Sequence, residues 1–221
     1  MFRTMTSTLL GIAAISLMLV GGVSSANASI ITYDLTVDNC TGGCNPGAPG
    51  TSMGTVKLDD NNVAGNVTVT VTLVSPLQFV NTGLQNTIDF NLGSILSGVS
   101  ANNFSALHFA LDSGTAGTEH FDGFGNFQYS IIMDTAQGAG GAQNVSPLSF
   151  HVLAPGILAS SFVANSQGAV FGVDVYNSVT GRTGPIGTTG SIPTTTPDPI
   201  SSALVGTGLA SLCFLRRRAG K

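Results

Sequence analysis

Alternation with a period of two runs through the middle of this chain. Ile31, Tyr33, Leu35 and Val37 share one face of an extended segment, against Thr32, Asp34, Thr36 and Asp38 on the other. Val67, Val69, Val71 and Leu73 oppose Thr68, Thr70 and Thr72, a β-branched run that suits a pleated, half-buried surface. Ile88, Phe90 and Leu92 alternate with Asp89 and Asn91, and Leu107, Phe109 and Leu111 with His108 and Asp112. Further runs are Phe127, Tyr129, Ile131 and Met133, then Leu148, Phe150 and Val152, then Phe171, Val173 and Val175. Turn-forming residues separate them, at Asn61-Asn62, at 138–141 and at Pro155-Gly156. Short strands punctuated by turns predict an all-β fold, an antiparallel β-sandwich of jelly-roll-like form. One short helix is expected within 157–165, where Leu158, Ser161, Phe162 and Asn165 recur at helical spacing. From 181 to 196 the chain is rich in Gly, Thr and Pro and reads as an extended, unpacked linker.

The two ends carry apolar runs that do not alternate. Arg3 precedes the uncharged stretch 9–23, and Ala26-Asn27-Ala28 follows as a small-residue cleavage site. This is the layout of a signal helix removed by signal peptidase after passage through the general secretion machinery, with Ser29 as the mature start. Near the other end, 200–215 holds no charged residue. As a helix it spans roughly 24 Å, short of the about 30 Å of a hydrocarbon core, and Gly206 and Gly208 weaken it further. Arg216, Arg217 and Arg218 hold its far end in the cytoplasm by the positive-inside rule. The stretch therefore reads as a transmembrane-like helix serving as a transient inner-membrane anchor. The organisation expected is signal peptide 1–28, β-sandwich domain 29–180, linker 181–196 and sorting tail 197–221.

Pro197-Asp198-Pro199, the apolar run and the Arg216-Arg217-Arg218 cluster together resemble the PEP-CTERM sorting signal, whose usual pattern is Pro-Glu-Pro, an apolar helix and arginines. Asp198 stands where that family has Glu. The resemblance implies a Gram-negative host that makes exopolysaccharide. It also implies an exosortase, a membrane-embedded cysteine transpeptidase-like enzyme, as processing partner, with this chain as its substrate. Within the body, Asp38 to Cys44, Phe121 to Gly125 and Ser161 to Asn165 are similar to segments of uncharacterised PEP-CTERM proteins, a likeness that implies architecture and no chemistry.

Composition agrees with an exported β-protein: 43% of residues are hydrophobic and only 8% charged, against about a quarter charged in ordinary globular chains. Of the 11 acidic residues only Asp198 lies beyond 196, and Lys57 and Arg182 are the basic residues of the body, which therefore carries about −8. Such a surface excludes nucleic-acid binding by counterion release. Cys40 and Cys44 form a C-x3-C pair that an oxidising compartment favours as a disulfide over free thiols, and a zinc site there needs two further ligands. Cys213, in the apolar tail, reads as filler.

His108 and His151 fall on outward strand faces, and His120 sits in a Gly-rich loop. Asp112, Glu119 and Asp122 offer oxygen ligands for calcium, without an Asp-x-Asp-x-Asp-Gly loop. No Gly-x-Ser-x-Gly elbow and no His-Glu-x-x-His stands in the chain. No catalytic residue, metal site or cofactor is therefore assigned. The expected function is a secreted or cell-surface structural or matrix protein associated with exopolysaccharide and biofilm. The alternatives are a carbohydrate-binding module, in a chain without Trp, and a secreted enzyme with no recognisable motif.

Overall fold

The β-branched run forms a strand whose alternation is carried through. Val67, Val69 and Val71 are fully buried, while Thr68 and Thr70 are half-buried and Thr72 is exposed. A computed structural model describes residues 29–61, 63–82, 85–93, 96–112, 119–188 and 194–197 of the chain. The expected signal helix with Ala26 and Ala28, and the tail helix with Asp198, Pro199, Arg216, Arg217 and Arg218, lie outside the described residues.

The described strands are β1 Ser29–Asp38, β2 Gly54–Asp59, β3 Asn66–Leu73, β4 Leu77–Phe79, β5 Asn86–Phe90, β6 Ser100–Asn102 and β7 Phe109–Leu111. They continue with β8 Glu119–Phe121, β9 Gly125–Phe127, β10 Tyr129–Met133, β11 Leu148–Leu153, β12 Phe171–Asn177, β13 Arg182–Thr188 and β14 Thr194–Pro197. All their pairings are antiparallel. The main sheet runs β6-β11-β3-β2-β1-β13-β12-β5-β10-β7, with β4 beside β12 and β14 beside β1. The sheet curls until its two ends approach, forming a near-barrel. Phe104, after β6, stacks on Phe109 of β7 at 6.5 Å and on Phe150 of β11 at 5.2 Å.

Strand β1 joins the two halves. Its first half pairs with β2, from Ile30↔Asp59 to Asp34↔Thr55. After an irregularity between Leu35 and Val37 its second half pairs with β13, with Asp38 opposite Ile186. On the core face of one half-sheet Phe90 meets its cross-strand neighbours Tyr129 and Phe171, at 5.5 and 6.3 Å between ring centroids, and Phe162 from the segment after β11 at 5.4 Å. Close-packed aromatics of this kind dominate the burial that holds a sandwich together. A second, smaller cluster lies on the outer face: Phe121, Phe124, Phe127 and Ala169, with Val37 against them. Glycines make room for it. A Cβ at Gly172 would stand 2.5 Å from Phe121, and one at Gly187 would stand 2.5 Å from Phe124. The β8–β9 hairpin thus presses its rings onto bare backbone.

Three expectations need correction. Residues 182–188 are not linker but β13, lodged between β1 and β12 with Ile186 fully buried, and Thr194–Pro197 pairs with β1. The expected helix at 157–165 is a single 3-10 turn, Ala159–Ser161. Ile157, Ala159 and Phe162 enter the core from this irregular segment, so burial rather than helical period spaces its apolar residues. The strand expected to include Leu107 starts at Phe109. Leu107 is 82% exposed, and His108 adopts φ 74°, which turns the chain before the strand begins.

Candidate functional site

Strands β5 and β12 lie side by side with Asp89 opposite Gly172. Ile88, Phe90, Val173 and Val175 point into the core. By the two-residue period Asp89, Gly172 and Asp174 face the other way, where an open sheet would meet water. The β8–β9 hairpin covers them instead. Asp89 is 0% exposed and Asp174 2%. Burial of a carboxylate disfavours its charged form, and it pushes Asp89 up to about 8, with Ser130 and then Asn86 easing the shift and Glu119 and Asp174 adding to it by repulsion. Burial likewise pushes Asp174 up to about 7, against the pull of Thr82, whose amide (2.9 Å) and hydroxyl both donate to Asp174 Oδ2. Glu119 is raised too, first by burial and then by its neighbour Asp112.

Asn86 sits at the focus of this cluster. Its amide nitrogen lies 3.2 Å from Asp89 Oδ2, 3.4 Å from Glu119 Oε2 and 3.5 Å from the His120 carbonyl. The body's two strongly basic side chains are engaged elsewhere. Lys57 Nζ is 3.2 Å from Asp59, and the Arg182 guanidinium donates to the carbonyls of Gly42 and Gly43. The acidic cluster thus has Asn86, Thr82, Ser130 and the Val175 amide as its donors, not a Lys or Arg.

Two hollows flank the cluster. A cleft of about 220 Å³ is lined by Thr82, Asn86, His120, Phe121, Asp122 and Asp174. A wider groove of about 510 Å³ follows the seam between β6 and β7, and takes in Asp112, Glu119, Tyr129 and Ser130. The chain matches no protein-family model, no curated protein and no solved structure. Its chemistry is therefore read from these side chains alone. At neutral pH buried carboxylates without a basic partner either hold protons or hold a cation.

The second constellation is the Cys40–Cys44 disulfide. Asp38 accepts N–H bonds from Cys40 (3.0 Å), Cys44 (2.8 Å) and Asn45 (2.8 Å), and Asn177 donates to the Cys44 carbonyl at 2.9 Å. Among the described residues Asp38, Cys40 and Cys44 are the group whose His, Cys or carboxylate ligand atoms come within 4.8 Å of one another. With both sulfurs bonded and Asp38 occupied by amides, the loop is a structural clasp. Replacing both cysteines by Ser is expected to cost about 2 kcal/mol, because the closed loop is short. Thermal melting of the double variant checks this, and an unchanged transition would show that Asp38 alone fixes the loop.

The histidines stay apart. His108 Nδ1 pairs with Asp134 at 2.8 Å, His151 Nδ1 is 3.2 Å from Asn103, and His120 sits between Asn126 (3.1 Å) and Asp122 (3.4 Å). Of the three acids considered for calcium, Glu119 and Asp112 lie together, while Asp122 belongs to the Asp174 side of the cleft. Nothing in the pattern of alternation singles out Asn86, Asp89 and Asp174. By alternation Asp89 and Asp174 look solvated. The available signal was Gly172 beside Asp174, together with the phenylalanines of 121–127 that need a surface to cover.

Proposed function

We propose that this chain is an exported extracellular structural or matrix protein, processed by an exosortase and associated with exopolysaccharide or biofilm, whose body is a jelly-roll-like sandwich without a catalytic task. In this reading a signal helix precedes Ser29, and a transmembrane-like helix follows the Pro197-Asp198-Pro199 motif as a transient inner-membrane anchor. The sequence layout at the two ends motivates it. One structural observation supports it: Ser29 lies opposite Pro197 in the β1–β14 pairing. The start of the body and the start of the sorting motif are therefore side by side, which allows both terminal segments to face one membrane while the rest of the sandwich stands clear. The exposed large apolar side chains among the described residues are aliphatic, such as Leu107 and Val179. That weighs against a sugar-stacking aromatic platform.

The test uses a native host with and without its exosortase. With the enzyme, the extracellular form is expected to begin at Ser29 by mass spectrometry and to lack the Arg216-Arg217-Arg218 end. Without it, the tailed form should stay with the membrane fraction. Asp198→Glu should process as well or better, and uncharged replacements of the three arginines should disturb retention. Release of the same shortened form from both hosts would sink the proposal.

A further inference from the structure

The acidic cluster beneath the β8–β9 hairpin has features that a solvated acidic patch lacks. Three oxygens from three residues, Asp89 Oδ2, Glu119 Oε2 and the His120 carbonyl, surround one point at 3.2 to 3.5 Å, the Asn86 amide nitrogen. An NH₂ group has two protons and so cannot satisfy three acceptors. The remaining oxygen of Asp89, Oδ1, has only the neighbouring Ser130 hydroxyl to turn to, and Asp174 Oδ1, on the wall of the adjoining cleft, only the Val175 amide; neither contact is a well-formed hydrogen bond. Buried polar atoms in folded proteins are nearly always paired. Two carboxylate oxygens so weakly paired in one acidic cluster, with Lys57 and Arg182 engaged elsewhere, call for a positive charge.

We infer that Asn86, Asp89, Glu119 and the His120 carbonyl form a divalent-cation site of the calcium class, with Asp174 beside it, which clamps the β8–β9 hairpin to the main sheet. Turning the Asn86 amide over puts its Oδ1 among the other three oxygens, so that four oxygen donors can close on an ion held between them. The cleft beside them admits the waters that fill the remaining positions. The donor set decides the class. It holds two carboxylates, an amide and a carbonyl, all hard oxygens on a hairpin that can adjust, which suits calcium better than the strict octahedron of magnesium. Zinc prefers nitrogen and sulfur, and the His120 ring is bonded outward to Asn126 and Asp122. Extracellular modules hold calcium with Kd on the order of 10⁻⁴–10⁻³ M. This inference does not depend on the sorting proposal.

The test is calorimetric titration of the purified chain with CaCl₂ after treatment with EDTA, paired with thermal melting. One calcium per chain is expected, with a higher melting temperature in calcium and a weaker response to MgCl₂. Glu119→Gln, at a half-buried position, should weaken binding at least tenfold. Asp134→Asn, which removes an exposed acid bonded to His108, should leave binding unchanged. Asp89→Asn should also abolish binding, and Glu119→Gln carries the test by itself if that variant fails to fold. The absence of calcium binding to the parent chain would overturn the inference, as would equal binding by Glu119→Gln or an equal response to magnesium.

Discussion

A chain that ends at Thr180 is expected to lose its cooperative fold, whereas one that ends at Thr196 keeps it. Strand β13 is the cause. It pairs with β1 on one side and β12 on the other, buries Ile186 completely, and passes beneath the disulfide. There a Cβ at Gly184 would stand 2.8 Å from the Cys40 backbone. Deleting it strips the hydrogen-bond ladder from two interior strands at once and opens the core between the half-sheets. The loss is comparable with the whole 5–15 kcal/mol stability of a domain. Ending at Thr196 removes from the sheet only Pro197, opposite Ser29 at the end of β14. Far-UV circular dichroism and thermal melting of the two truncations are the measurement. A cooperative β-type transition from the chain ending at Thr180 would show that β13 is dispensable.

Stability of the calcium-free chain is expected to fall as pH rises from 5 to 8, opposite to the common pattern for surface carboxylates. Asp89 and Asp174 hold their protons in the folded state up to about 8 and about 7, while in the unfolded chain they ionise near 4. The unfolded state therefore binds fewer protons across this window, and the slope of stability against pH is negative. Their contribution is fully present below the ordinary carboxylate value, is lost as pH climbs through it towards the folded values, and is flat beyond them. The acidic neighbours work in the same direction. Glu119 and Asp174 face Asp89, Asp122 faces Asp174, and the adjacent His120 is bonded to Asp122 and Asn126. The combined loss is on the order of 2–5 kcal/mol. Melting curves in EDTA at several pH values measure it. Asp89→Asn should remove that residue's share of the slope, leaving that of Asp174, and raise the melting temperature at pH 8. Stability rising from pH 5 to 8 would mean that the two acids are ionised in the native state.

The strands legible in the sequence were those that bury one face and wet the other. Val67 to Leu73 and Leu148 to Val152 alternate because one half-sheet has a single buried side. Alternation carries no such signal where burial is two-sided or where side chains are absent. In β13 the residues Thr183-Gly184-Pro185-Ile186-Gly187 resemble a linker, since their role is to let Cys40 and Phe124 approach the backbone closely, and only Ile186 gives an apolar signal. In β5 and β12 every second residue is polar, yet the hairpin conceals that face too. The Cys40–Cys44 pair was readable because a separation of four residues keeps the two thiols within bonding reach of each other. Asp89 and Asp174 were not, because their burial depends on β8 and β9, which lie far from them along the chain.

The pairing of Ser29 with Pro197 also governs how the body carries tension. The two strands diverge from the same rim, so a pull that separates their outer ends opens β1 from β14 one residue pair at a time, in the manner of a zip. The β13 pairing further along β1 lies behind that opening and is shielded until the rim has parted. A pull applied at this rim thus meets a short, expendable seam first, and the rest of the sandwich keeps its shape while that seam opens.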